Sequence, residues 1–132
     1  MEHKKGWNPF MEENGIEIVS ESAERTVLRV IPQKKHRNPY NMIHGGLLFT
    51  MIDCAAGITA RADGNAYVTQ NSYVNFLNNT DQEEEVLAET DVIRRGTTIV
   101  VVHVVVRTSD GKKLADAVVD MFRVNGMPDM RR

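Results

Sequence analysis

The chain is sparing in the features that usually decide a protein's class early. It has one cysteine, Cys54, so it can form no internal disulfide, and such usage fits a reducing compartment. Sixteen basic residues stand against eighteen acidic ones, which leaves no positive excess to hold nucleic acid. No run approaches the ~20 consecutive apolar residues of a membrane span. The start, MEHKKGWNPF, has no apolar segment of signal-peptide length. The four histidines, His3, His36, His44 and His103, show no metal-ligand spacing, so neither a metal nor a cofactor is expected. No repeat or linker composition divides the 132 residues. The expectation is one cytoplasmic domain with a real core and with loose polar ends, Met1 to Lys5 and Pro128 to Arg132.

What the chain does have is one distinctive stretch, residues 44 to 63, HGGLLFTMIDCAAGITARAD. It is nearly uncharged up to Arg61, with Asp53 as the exception. A helix apolar on nearly every side is expected to be buried on nearly every side. An acid inside it loses solvation and needs a partner or a purpose. Gly45 and Gly46 precede the helix, where unpaired amides carry the positive end of the helix dipole and glycine permits close approach. One segment thus offers amides for an oxyanion and a carboxylate that can act as base or nucleophile.

The rest of the chain reads around that helix. Residues 7–14 form a short helical lead-in ending at Gly15. Ile16 to Ser20 and Arg25 to Ile31 read as strands, the second stopped by Pro32. Residues 32–43, PQKKHRNPYNMI, form a long loop of the kind that often carries function. After the helix come four strand-like segments, 66–77, 85–95, 97–108 and 113–124; the β-branched run TTIVVVHVVVRT is the clearest. Ser109 to Lys112 forms a hairpin turn, and the acids Asp81 to Glu85 a solvated loop and strand start. Without βαβ alternation, the order predicts an α+β fold of one long helix on an antiparallel sheet.

Asn38 lies six residues before His44, and Asp53 nine residues after it. Together with Thr69, the pattern Val74-Asn75-Phe76-Leu77, the basic-Gly turn Arg95-Gly96 and the final hairpin, these offsets resemble the PaaI-type acyl-CoA thioesterases of the hotdog fold. The likeness covers about residues 16–124. It departs from the pattern at Asn71, where the family often has an acid, and at Asn78-Asn79-Thr80, where a proline is common.

The resemblance implies an acyl-CoA substrate and a sheet wrapped around the helix. It also implies a homodimer made by pairing the 66–77 strand with its copy, and a dimer of such dimers. Asp53 is then the general base or nucleophile, and the Gly45 amide, with Gly46 beside it, the oxyanion site. Asn38 holds the water or the thioester, His44 orients the loop, Thr69 partners Asp53 or the water, and Arg95 and Gly96 contact substrate. The same residues have plainer readings. Asp53 can be a buried structural acid, Gly45-Gly46 a turn, Asn38 a turn former and Thr69 a strand former. Cys54 reads as a small core residue and His103 as structural. Two other functions compete. A hotdog dehydratase or hydratase would show a D-x-N-x-x-H type motif, which this sequence lacks. An acyl-CoA sensor is expected to carry an added DNA-binding segment, for which the 15 residues before the first strand are too few.

Overall fold

The computed structural model describes residues 8–125. The ends expected to be loose, Met1 to Lys5 and Pro128 to Arg132, lie outside the described residues.

Helix α1 (Pro9–Glu13) is set by its cap. The Asn8 side chain accepts from Met11 N, and proline occupies the first turn, where no amide partner is needed. Gly15 follows in the left-handed region at φ 69°, as a helix stop requires. Strands β1 (Glu17–Ser20) and β2 (Val27–Val30) come next. The long loop contains a 3₁₀ turn, Lys34–His36, that the hydrophobic pattern does not announce. Helix α2 (Gly45–Arg61) is followed by β3 (Ala66–Phe76), β4 (Val86–Arg95), β5 (Ile99–Thr108) and β6 (Lys113–Val124).

All six strands form one antiparallel sheet in the order β1-β2-β4-β5-β6-β3. Alternation along β5 puts Val100, Val102, Val104 and Val106 at zero exposure under α2. Leu48, Met51, Ile52, Ala55 and Ala56 meet them from the helix. The α+β arrangement read from the sequence is therefore present, with β3 as the edge strand beside β6. No helix among the described residues is long and apolar enough to cross a membrane.

Three simple expectations need correction. The helix is not buried on every side in the single chain. A stripe through Gly46, Phe49, Asp53 and Cys54 stays partly open, and Phe49 is 41% exposed. Strict alternation along β3 would place Thr69, Asn71 and Tyr73 on one face. A bulge at Gln70 breaks the register instead: Thr69 pairs with buried Met121, whereas Asn71 pairs with Asp120 and Tyr73 with Val118. Thr69 thus faces the helix, while Asn71 and Tyr73 face outward. The acids at 81–85 are less solvated than expected, since Glu84 accepts from Thr80 Oγ1 and Glu85 from Arg29 Nε.

Candidate active site

Asp53 sits halfway along α2 with its side chain toward β3. The Thr69 hydroxyl donates to Asp53 Oδ1 at 2.6 Å. The bulge makes this contact possible, because it keeps Thr69 on the helix face while the rest of the strand turns over. One carboxylate oxygen is thereby fixed. The other has no partner among the described residues and opens into a pocket of about 290 Å³.

Cys54 lines that pocket too, partly buried and packed against the hydrophobic core. Burial pushes its thiol up, against a weak bond from Asn8 Nδ2 at 3.9 Å, and the neighbouring Asp53 adds to the rise. A thiol so held stays protonated and is a poor nucleophile.

At the start of α2, His44 is the N-cap. Its Nδ1 accepts from Gly46 N at 2.9 Å, so the ring orients the helix entry and occupies the Gly46 amide. The Gly45 amide has no acceptor among the described residues. Phe76, at the end of β3, packs beside Gly45, where a Cβ would stand 3.5 Å from the ring. Glycine here keeps the approach to that amide open.

Asn38 builds the loop before the helix. Its carboxamide oxygen accepts from Tyr40 N at 2.9 Å and from Met42 N at 3.1 Å, an Asx turn. The oxygen is thus engaged, and the NH₂ is what Asn38 can present to a ligand.

Asn79 was not singled out in the sequence, yet it fixes the same loop. Its carboxamide accepts from Ile43 N at 2.9 Å and donates to Ile43 O at 3.0 Å, one residue before His44. Arg37 ties the loop to the Thr80 and Gln82 carbonyls, both at 2.8 Å. The only sequence signal of Asn79 is the Asn-Asn-Thr departure from the family pattern.

Arg95 and Gly96 lie apart from this group. The Arg95 guanidinium closes the C-terminal end of α2. It donates to Thr59 O, Ala60 O and Ala23 O at 2.8–3.0 Å and pairs with Asp63 at 2.9 Å. Burial pushes the Asp63 carboxyl up, but the Tyr67 hydroxyl, Asn65 and Arg95 together hold it below the ordinary range. Gly96 makes the β4–β5 hairpin, where a Cβ would come within 3.0 Å of Ile99 O. His103 on the outer sheet face bonds Asp116 at 2.8 Å.

The site thus combines a carboxylate held by a hydroxyl, a helix-start amide and a neutral donor on a preceding loop. The sequence profile of the thioesterase superfamily matches residues 40–115, which spans all of these groups except Asn38. The chain belongs to the thioesterase superfamily. It is a thioester hydrolase of the PaaI-like hotdog fold. A Streptococcus mutans protein solved with acetyl-CoA is 27% identical at TM-score 0.79, covering 83% of this chain and 88% of that one. A hypothetical thioesterase protein of Streptococcus pneumoniae, solved with coenzyme A, is 25% identical at TM-score 0.78, covering 83% and 85%. The PaaI protein of Escherichia coli, from its phenylacetic acid degradation operon, shares the fold at TM-score 0.86 and 21% identity, covering 91% and 87%.

Proposed function

We propose that the protein hydrolyses acyl-CoA thioesters at a site shared by two copies of the chain. The observation that carries the shared site is the spacing along α2. Gly45 and Asp53 are eight residues apart, about 12 Å along the helix. One reacting carbonyl must lie within about 3 Å of both an oxyanion donor and the attacking water. A single helix cannot bring its own two groups that close. A second copy can, by presenting its Gly45 amide and Asn38 to the Asp53 of the first.

In this reading Asp53 takes a proton from water, and the water oxygen attacks the thioester carbonyl carbon. The negative oxygen accepts from the Gly45 amide of the second copy. The oxyanion then collapses, the carbon–sulfur bond breaks, and the proton on Asp53 passes to the departing sulfur, which releases coenzyme A and restores the carboxylate. Thr69 fixes the carboxylate rotamer, and the Asn38 NH₂ donates to the thioester oxygen. His44 and Asn79 are positioning residues. Edge pairing of β3 with its copy supplies the dimer and removes an open sheet edge, and two such dimers make a tetramer. Two streptococcal relatives bind coenzyme A or acetyl-CoA, which supports the substrate class. The pneumococcal relative has also been solved with alanine replacing an Asp and, separately, a Thr 16 positions further on, the same spacing as Asp53 and Thr69 here. The single, half-buried thiol suits a cytoplasmic setting.

Free-thiol release from a panel of acyl-CoAs tests the reaction; enoyl hydration without thiol release would favour a hydratase. Mixing Asp53→Asn subunits with Asn38→Ala subunits tests the shared site. Each mixed dimer then holds one site with both lesions and one with neither, so activity returns toward half of wild type. No recovery, with exchange confirmed by mass spectrometry, would place each site within one chain.

A further inference from the structure

The two ends of the Asn8 carboxamide serve different elements. Its Oδ1 accepts from Met11 N at 2.8 Å and caps α1. That bond leaves Nδ2 turned toward α2, where it meets Cys54 Sγ at 3.9 Å. A thiol sulfur is a weak acceptor, and an amide nitrogen carries two hydrogens. At least one of them has no partner among the described residues. Asn8 lines the same pocket as Asp53, Cys54 and Thr69, the pocket onto which the open oxygen of Asp53 faces. The other donors there are spent. The Thr69 hydroxyl donates to Asp53 and the Tyr67 hydroxyl to Asp63, and Arg61 is already engaged. The Cys54 S–H is only a weak donor. The Asn8 amide is the strong donor that the fold leaves over beside Asp53.

The geometry points to Asn8 as a further catalytic residue, whose Nδ2 donates a hydrogen bond to the water that attacks the thioester. This inference rests on the acyl-CoA thioesterase reading with Asp53 as general base. A water has two hydrogens and two lone pairs. One hydrogen goes to the open oxygen of Asp53, and one lone pair must point at the thioester carbon. With Asp53 alone, the water can turn about that single bond. A donor on the second lone pair stops the rotation and aims the first. No proton leaves Asn8, so the proton still passes from water to Asp53 and then to the departing sulfur. Asn8 acts from the same chain as Asp53. It serves the water, whereas Asn38 and the Gly45 amide of the second copy serve the carbonyl oxygen. The cap bond to Met11 N is what aims Nδ2, so the short helix ahead of the first strand is tied to the chemistry.

The test separates the cap from the donor. Serine and aspartate cap a helix about as well as asparagine, and neither carries an NH₂. Asn8→Ser and Asn8→Asp should therefore keep a Tm close to wild type. With the acyl-CoA that wild type cleaves fastest, Asn8→Ser should lower kcat about tenfold and leave KM within about twofold, since the bond to water aids the transition state and not substrate binding. Asn8→Asp should lower kcat at least as much. Its second carboxylate in the pocket should also hold the proton on Asp53, moving the acid limb of the kcat/KM profile up by about half a pH unit or more. A loss through a loosened α1 alone would leave that limb in place. Asn8→Asp thus decides the matter even if Asn8→Ser weakens the helix. A wild-type kcat in Asn8→Ser, a loss confined to KM, or an unmoved acid limb in Asn8→Asp overturns the inference and leaves the thioesterase reading intact. Failure of wild type to release thiol from any acyl-CoA overturns both.

Discussion

At the C-terminal end of α2 the polar groups of the helix and its neighbours are tied to one another. Thr59 Oγ1 meets Thr26 Oγ1 at 2.8 Å and Thr90 Oγ1 at 2.7 Å, all three side chains fully buried. Thr26 N donates to Thr90 Oγ1, Tyr67 to Asp63, and Arg95 takes the last helix carbonyls. The N-terminal half contrasts with this. There the Gly45 amide, one oxygen of Asp53 and the Asn38 NH₂ on the preceding loop have no partner among the described residues, and the helix stripe through Asp53 is half-open. The same helix is therefore anchored at one end and left chemically unfinished at the other. Burial alone does not separate the two ends as well as hydrogen-bond completion does. Groups that the fold itself satisfies hold structure, and on the proposed reading the groups it leaves open are the ones that meet substrate.

The sharpest way to break the contrast is Asp53→Asn. An amide cannot take the proton from water, so kcat/KM should fall about a thousandfold, or ~4 kcal/mol. Stability should shift by no more than ~0.5 kcal/mol, since the residue is half-exposed and the amide oxygen can still accept from Thr69. Retention of more than about a tenth of wild-type kcat/KM, a loss below ~1.4 kcal/mol, would remove Asp53 from the centre of catalysis. The mirror experiment is Arg95→Met at the closed end. It takes a donor from two helix carbonyls and the Ala23 carbonyl, and the counter-charge from Asp63, for an expected stability loss of about 2–4 kcal/mol. Chemical denaturation should register that loss. Full stability with a raised KM for coenzyme A thioesters would instead return Arg95 to a role in substrate contact.

The difference between the ends also explains what could be read in the sequence. The strands were legible because runs such as Ile99 to Thr108 declare themselves by β-branching. Asp53 was legible because a lone acid on an apolar helix is conspicuous. The bulge at Gln70 was not, since one unpaired residue leaves no trace in composition. It reverses the faces of Asn71 and Tyr73 while bringing Thr69 to Asp53. The helix-end bonds of Arg95 were hidden for a related reason. A basic-Gly turn looks alike whether its guanidinium meets a ligand or a helix end 35 residues back. Asn79 went unseen because its bidentate bond to Ile43 is long-range, and an asparagine after a strand ordinarily signals only a turn.

Thr69→Val narrows the contrast to one hydrogen bond. It keeps the strand and the shape but frees the Asp53 rotamer, so kcat should fall about tenfold, ~1.4 kcal/mol, with little change in KM. An unchanged kcat would make the 2.6 Å contact structural only.

The smallest effect is expected at His36, a buried residue of the loop that leads to the open end. It is buried, its carbonyl accepts from His44 N at 2.8 Å, and its Nδ1 accepts from Gln33 N at 3.0 Å. That bond requires an unprotonated Nδ1, so the proton of the neutral ring sits on Nε2, which is buried without a partner among the described residues. Burial first, and then the charges of Lys35 and Arg37, hold the imidazole below the ordinary histidine range. The unfolded chain therefore takes up a proton before the folded one does. Above about pH 6.5 both forms are neutral and His36 adds no pH dependence. As pH falls below that value, folded-state stability should drop by at most ~1.4 kcal/mol per pH unit. His36→Asn keeps an acceptor for Gln33 N but cannot titrate. It should be less stable than wild type at pH 7.5, and the gap should close as pH falls toward 5. Thermal unfolding of the two proteins across that range reads the difference directly. A gap that stays constant would mean that His36 is protonated as easily in the folded protein as in the unfolded chain, and that the loop carries no acid sensitivity of its own.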